Sequence, residues 1–261
     1  MNDTERFTGR HLDYAAARPS YPRAAIDYLC GAYAPPRAHT AADVGSGTGK
    51  LSAQLLEAGF TVYGVEPNAD MRRTAEELLG GSGRFRSVDG SDRATGLAEG
   101  SVDFVTAAQA FHWFDPLAFR AECLRILRPG GRVFLIWNVR AEAPLNQALA
   151  GVFQRYCPDF KGFSGGIRED DERIRTFFRG GYEKLRFPSP LAFDRERFLR
   201  RCFSSSYSLP EGRPDYPAYC QALEALFDAF SRDGLLTQPN ETLIYAGRPL
   251  PGAEDSKRST Y

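Results

Sequence analysis

Short apolar runs alternate with helical apolar periodicity through the first half of the chain. Residues 40–44 (TAADV), 61–65 (TVYGV), 85–88 (FRSV) and 102–107 (VDFVTA) each read as a strand, the last of them buried on both faces. Between the first two, Leu51, Leu55, Leu56 and Ala58 recur at helical spacing before Gly59 stops the helix. Asn68 is placed to cap a second helix over Ala69–Leu79. A helix over Phe119–Leu127, closed by the turn RPGG, leads into a fifth strand over Arg132–Trp137. Strands alternating with helices predict an open, mostly parallel sheet.

Beyond Ala141 the pattern loosens. A helix near Leu145–Tyr156, a turn-rich loop PDFKGFSGG and a charged helix REDDERIRTFF are expected, with REDDER as a solvated face. A strand over Gly181–Phe187 and a helix over Arg195–Cys202 follow. Pro217–Phe230 is an amphipathic helix with Leu223, Leu226, Phe227 and Phe230 on one face, and Glu241–Ala246 is a closing strand. A short helix over Ala24–Cys30 precedes the first strand, and residues 250–261 read as a disordered tail.

The chemistry concentrates at the C-terminal ends of the strands, where open α/β sheets bind ligands. Gly45, Gly47 and Gly49 form a strand-to-helix turn that can take positive φ, with Ser46 between them, so a ligand can lie against bare backbone. Glu66, at the tip of the second strand and followed by Pro67, suits the two hydroxyls of a ribose. The spacing is not that of a dinucleotide fingerprint, whose third glycine would stand at Lys50, nor of a P-loop. After the fourth strand, Gln109-Ala110-Phe111-His112-Trp113-Phe114-Asp115 suits an apolar site that holds a few polar groups.

DVGSGTG, GVEPNADM, SVDFVTAAQAFHWFD and LRPGGRVFLIWN together resemble the class I S-adenosylmethionine-dependent methyltransferases. Within them the chain is similar to the small-molecule, type 11 group that includes trans-aconitate methyltransferase-like proteins; the likeness runs over about residues 7–138. The resemblance implies a Rossmann-like, seven-stranded, mostly parallel sheet with helices on both faces and an antiparallel last strand. It implies a single domain over 1–249, with an N-terminal lid (1–39), a cofactor core (40–138) and an acceptor-side cap insertion (139–215). The cofactor implied is S-adenosyl-L-methionine. Its binding set is Tyr14, Arg18, Asp43, Gly45, Ser46, Gly47, Gly49, Glu66, Pro67, Ser91, Asp92, Gln109 and Ala110. In that set Tyr14 and Arg18 belong to the lid near the methionine carboxylate, and Ser91 and Asp92 touch the adenine, with Asp89 as the fallback. Asp92-Arg93 stands where the family more often has Ala-Glu. His112 is the candidate base or acceptor-positioning residue, Trp113 faces the sulfonium, and Asn138, Arg140, Phe160, Phe163 and Tyr207 are placed toward the acceptor.

Composition narrows the partner. With 33 basic and 33 acidic residues in 261, no global field draws nucleic acid or a membrane. Five widely spaced cysteines read as free thiols in a reducing compartment, no apolar run approaches a bilayer span, and no metal-ligand spacing occurs. The expectation is a cytoplasmic enzyme, monomer or homodimer, that methylates O, N or S of a small molecule, with secondary metabolism as one setting. The alternatives are a protein that keeps the cofactor fold without methyl transfer, as a binding subunit or rearrangement catalyst, and a nicotinamide oxidoreductase.

Overall fold

The computed structural model describes residues 20–33, 35–163 and 171–251. Tyr14 and Arg18, the rest of the expected lid up to residue 19, and the tail from 252 lie outside the described residues.

Helix α1 (Arg23–Ala32) leads through a single 3-10 turn into β1 (Thr40–Val44), then α2 (Lys50–Ala58), β2 (Thr61–Val65), α3 (Ala69–Leu79), β3 (Phe85–Val88) and β4 (Val102–Ala108). α4 (Pro116–Ile126), β5 (Leu127–Arg140), α5 (Pro144–Tyr156), α6 (Glu172–Phe178) and β6 (Tyr182–Pro188) follow. The chain ends in β7 (Leu191–Phe193), α7 (Arg195–Phe203), α8 (Tyr216–Phe230), β8 (Leu236–Gln238) and β9 (Asn240–Gly247).

Seven strands form one sheet in the order β3-β2-β1-β4-β5-β9-β6, parallel from β3 to β5, with β9 antiparallel. This is the expected Rossmann-like class. Registers such as Val44↔Val65 and Asp43↔Thr106 align the C-terminal ends of β1, β2 and β4. Because β1 connects outward to β2 while β4 lies on its other side, the chain changes direction between β1 and β4. Loops leaving those two strands diverge and open a crevice at their carboxyl ends. Beneath the crevice Ala41, Val62, Phe104, Phe134 and Ile244 are buried, with Ile26 and Leu29 of α1 and Leu55 of α2 packed on them.

Two compact units emerge. The first comprises Met1–Trp137, Gly166–Phe187 and Thr242–Tyr261; the second comprises Asn138–Gly165 and Pro188–Glu241. These boundaries divide the segment expected as one insertion over 139–215. α6 and β6 return to the first unit, because Ile174, Phe177 and Phe178 are buried there and β6 joins the sheet edge. α8 instead supplies Tyr219, Leu223 and Phe227 to the core of the second unit, beside Leu149 and Phe153 of α5.

Local expectations are corrected at four places. RPGG is not a turn after the helix but part of β5. Leu127 already pairs with Val102, and the register then jumps so that Phe104 faces Arg132, leaving residues 128–131 as an irregularity in the strand. Asp103 holds it there, accepting the Arg128 guanidinium and the Thr40 N–H at 2.7 Å each. The helix expected from Phe119 begins at Pro116, because Asp115 caps it by accepting from Leu117 N and Ala118 N. β7 and β8, which pair antiparallel with Phe193 opposite Leu236, are strands of three residues and too short to show alternation. Leu250, expected to open a disordered tail, donates its N–H to Phe178 O at 3.2 Å.

Candidate active site

The glycine loop is built at the end of β1. Gly45, Gly47 and Gly49 have φ of 71°, 58° and 81°, the left-handed region. Gly45 N and Ser46 N donate to Val65 O at 2.8 and 3.1 Å, which folds the loop over the end of β2. Room for a side chain separates the three glycines. A Cβ on Gly45 would stand 2.6 Å from the Ala110 Cβ, and one on Gly49 would stand 2.7 Å from Leu79 Cδ1 and 3.2 Å from the Ala75 Cβ. On Gly47 it would meet only Met71 Sδ at 3.9 Å. Gly45 and Gly49 are therefore required by packing, whereas Gly47 presents bare backbone to an open side.

Asp43 lies two residues before Gly45, where the loop first bends, and is buried at 1% exposure. Its carboxylate accepts from Ser52 Oγ at 2.7 Å and Thr106 Oγ1 at 2.9 Å. Ser52 also offers its backbone N–H, so Asp43 serves the start of α2, whose own N-cap is a glycine without a side chain. Burial raises the Asp43 carboxyl to about 6, against the opposing pull of those hydrogen bonds. Asp43 braces β1, α2 and β4 from below the loop.

Glu66 is placed differently. Its Oε2 accepts the Gly47 N–H at 3.0 Å and its Oε1 the Asn68 N–H at 2.9 Å. Burial raises its pKa, opposed by those two backbone donors. Each carboxylate oxygen has two lone pairs, so one backbone N–H apiece leaves capacity for two hydroxyl donors. Asn68 caps α3 by accepting from Asp70 N and Met71 N. Arg72, which the sequence reading passed over, donates to Glu66 O at 2.8 Å, Pro67 O at 3.1 Å and Asp89 Oδ2 at 3.0 Å. One guanidinium thus clamps the ends of β2 and β3 together, and its only sequence signal was a basic residue six positions after Glu66.

After β3, Ser91 N donates to Ala94 O at 2.9 Å, closing a turn. Asp92 Oδ2 accepts from Asp115 N at 3.3 Å, which joins this loop to the start of α4. Burial raises the Asp92 pKa. Asp89, the fallback acceptor, is engaged by Arg72 and mostly exposed.

The loop after β4 opens on Gln109, whose φ of 56° is unusual for a residue with a side chain. Its N–H donates to Ile136 O at 2.8 Å, holding that geometry. The aromatics of this stretch then divide. Phe111 is fully buried against Phe119, Trp137 and Phe177, and Phe114 stacks edge-on with Phe119 at 4.9 Å. Trp113 stays 46% exposed, with the His112 ring 4.9 Å away. His112 O accepts from Arg173 at 3.1 Å. Arg173 belongs to the REDDER run, so the expected solvated face is corrected at that residue; Asp171 Oδ2, at 2.7 Å, fixes the guanidinium's other side. The structure thus brings Gly47, Glu66, Asp92, Gln109, Ala110 and His112 to the loops at one end of the first unit's sheet.

Among the described residues no group of three or more His, Cys, Asp or Glu is arranged to hold a metal ion, and no helix is long and apolar enough to cross a membrane.

Known proteins resemble this chain in sequence and fold. A methyltransferase-domain family model matches residues 42–135. An uncharacterised methyltransferase of Mycobacterium tuberculosis is 41% identical over 129 residues, 49% of this chain and 50% of that protein. An uncharacterised methyltransferase-like protein of Schizosaccharomyces pombe is 29% identical over 220 residues, 80% of this chain and 81% of that one. The solved structure of a protein described as a type II methyltransferase, from Anaeromyxobacter dehalogenans, matches with a TM-score of 0.66 at 27% identity. It covers 90% of this chain and 99% of its own. The chain spans about half the length of that Mycobacterium tuberculosis relative. Over residues 42–135, then, the chain is similar to a methyltransferase domain, carried on a Rossmann-like sheet.

Proposed function

We propose that the chain transfers a methyl group from S-adenosylmethionine to a small-molecule acceptor. The observation that carries this reading is the Glu66 carboxylate, fixed by the Gly47 N–H beside the one glycine of the loop with an open side. That pairing fits a nucleoside: a carboxylate accepts from two ribose hydroxyls while the uncluttered backbone admits the ligand's body. Asp92 and Ser91 would meet the adenine, and Gln109 would meet the amino-acid end together with Tyr14 and Arg18.

When bound, the cofactor supplies an electrophilic methyl group on a sulfonium whose leaving group is neutral. The chain's own task is then mainly alignment, which can account for much of the rate. Trp113, with its exposed indole, shields and orients the acceptor. Nδ1 of His112 is buried, which leaves Nε2 as the nitrogen that takes a proton from a phenol, amide or thiol acceptor. A balance of 33 basic and 33 acidic residues supports a small molecule over nucleic acid as acceptor, and free thiols at all five cysteines support a reducing, cytoplasmic setting.

Calorimetric titration with S-adenosylmethionine, S-adenosylhomocysteine and NADH tests the reading. Micromolar-range binding of the first two, without the third, is expected for a methyltransferase site. Binding of NADH alone would overturn it.

A further inference from the structure

The second unit holds two arginines whose charges are not matched by a carboxylate among the described residues. Arg140 ends β5 and Arg201 lies in α7, and both side chains are largely withdrawn from water. Nη1 of Arg140 and Nε of Arg201 are buried and make no hydrogen bond to any described residue. Among the described residues, the ionisable groups that act on them are Tyr207, Cys202 and, for Arg140, Arg201 itself, which is repulsive; no acidic side chain is among them. Burial lowers the pKa of each, the direction expected when a cation is desolvated without an opposing charge. Stacking compensates only in part: the Arg140 guanidinium lies 3.9 Å from the Phe163 ring centre and that of Arg201 5.5 Å from Phe193. Buried charges in folded proteins are ordinarily paired, and a cluster of two like charges is stable only with something to offset it.

We propose that Arg140 and Arg201 form an oxyanion subsite in the second unit that takes the carboxylate of a small organic acid. A planar carboxylate matches the guanidinium fork through paired, charge-assisted hydrogen bonds, and it would engage the two buried donors while relieving the repulsion between the cations. Next to them Phe163, Phe160 and Tyr207 form a ring cluster with centroids 4.9–5.0 Å apart. That wall favours an acid with an apolar or aryl body over a bare inorganic ion. Binding of this acid is independent of the transfer proposed above.

The test is titration of the full chain, with S-adenosylhomocysteine present, by acetate, succinate, 3-phenylpropanoate, the amide of 3-phenylpropanoate and inorganic phosphate. At least one acid should bind, with 3-phenylpropanoate the tightest and its amide weaker by about tenfold or more. Arg140→Gln and Arg201→Gln should each weaken that acid by about tenfold or more. S-adenosylhomocysteine affinity should be retained, and the melting temperature of the free protein should hold or rise as the like charges are separated. Failure of every acid to bind, equal binding of acid and amide, binding of phosphate alone, or unchanged acid affinity in both variants would each overturn the subsite. If the acid binds and S-adenosylhomocysteine does not, the subsite stands and the methyl-transfer reading fails.

Discussion

Glu66 Oε2 accepts the N–H of Gly47 at 3.0 Å, so the tip of β2 and the middle of the glycine loop are held as one piece. The carboxylate has a structural partner before any ligand arrives, and its orientation is set in advance. Prearrangement of this kind lowers the ordering cost of binding.

Glu66→Ala removes that acceptor and leaves the N–H groups of Gly47 and Asn68 without it. Affinity for S-adenosylhomocysteine should fall by about 1–3 kcal/mol, the usual scale for hydrogen bonds to a charged group. Glu66→Gln keeps one acceptor oxygen and should fall between wild type and alanine. Calorimetry on the three proteins decides it: equal affinities would remove Glu66 from the ribose role.

Gly47 and Gly49 differ in why they must be glycine, and alanine at each should separate fold from binding. At Gly47 the new methyl group meets open space, so the cost to stability is the left-handed backbone alone, about 1–2 kcal/mol. At Gly49 overlap with Leu79 and Ala75 adds to it, for a total of about 3 kcal/mol. Cofactor affinity should show the reverse order, with Gly47→Ala the more damaging. Urea melts and titrations of both variants measure the two scales; a Gly47→Ala protein that binds normally would show that the open side is not where the ligand lies.

Most of the first unit could be read from residues because its strands obey one simple rule. β1 and β2 are short, mostly apolar runs bounded by glycine, proline or polar turns, and the parallel centre of a sheet tolerates little else. The bounds of α3 were equally legible because Asn68 is a side-chain cap with a local mechanism. Contacts between distant segments were not legible. Arg173 reaches His112 O across 61 positions, and in a run of charges nothing local distinguishes it from its solvated neighbours. Asp43 was grouped with the cofactor ligands because it adjoins the glycine loop, but strand alternation decides which way it faces, and its carboxylate is taken by Ser52 and Thr106. Arg201 carried no signal at all, since the absence of a nearby acid is a property of the folded neighbourhood.

Asp43 also makes stability depend on pH in a stated direction. Its folded pKa, about 6, lies above the ordinary carboxyl value, so the proton is held more tightly in the folded chain. The contribution is therefore complete below about pH 4 and is lost as pH rises through about 6, by about 3 kcal/mol in total. Asp43→Asn removes the titrating group while retaining an oxygen that can accept from Ser52 or Thr106. The difference in unfolding free energy between wild type and variant, from urea melts at half-unit steps, should fall over that window. A flat difference would show that the carboxyl titrates normally in the folded protein.

His112 and Arg173 supply the last prediction. If His112 takes the acceptor's proton, His112→Ala should lower the transfer rate about 100-fold, leave S-adenosylhomocysteine affinity intact and remove the acidic limb of the pH–rate profile. Arg173 touches only the backbone oxygen of that residue, so it is a positioning residue whose effect passes through the loop. Arg173→Gln should lower kcat by less than His112→Ala, with KM for the cofactor unchanged and the pH profile kept in shape. The double variant should be no slower than His112→Ala alone, because a group that acts by aiming another contributes nothing once the other is gone. Additive losses in the cycle would mean that Arg173 acts by a route independent of His112, and a full-rate His112→Ala protein would leave proximity as the sole source of rate on this loop.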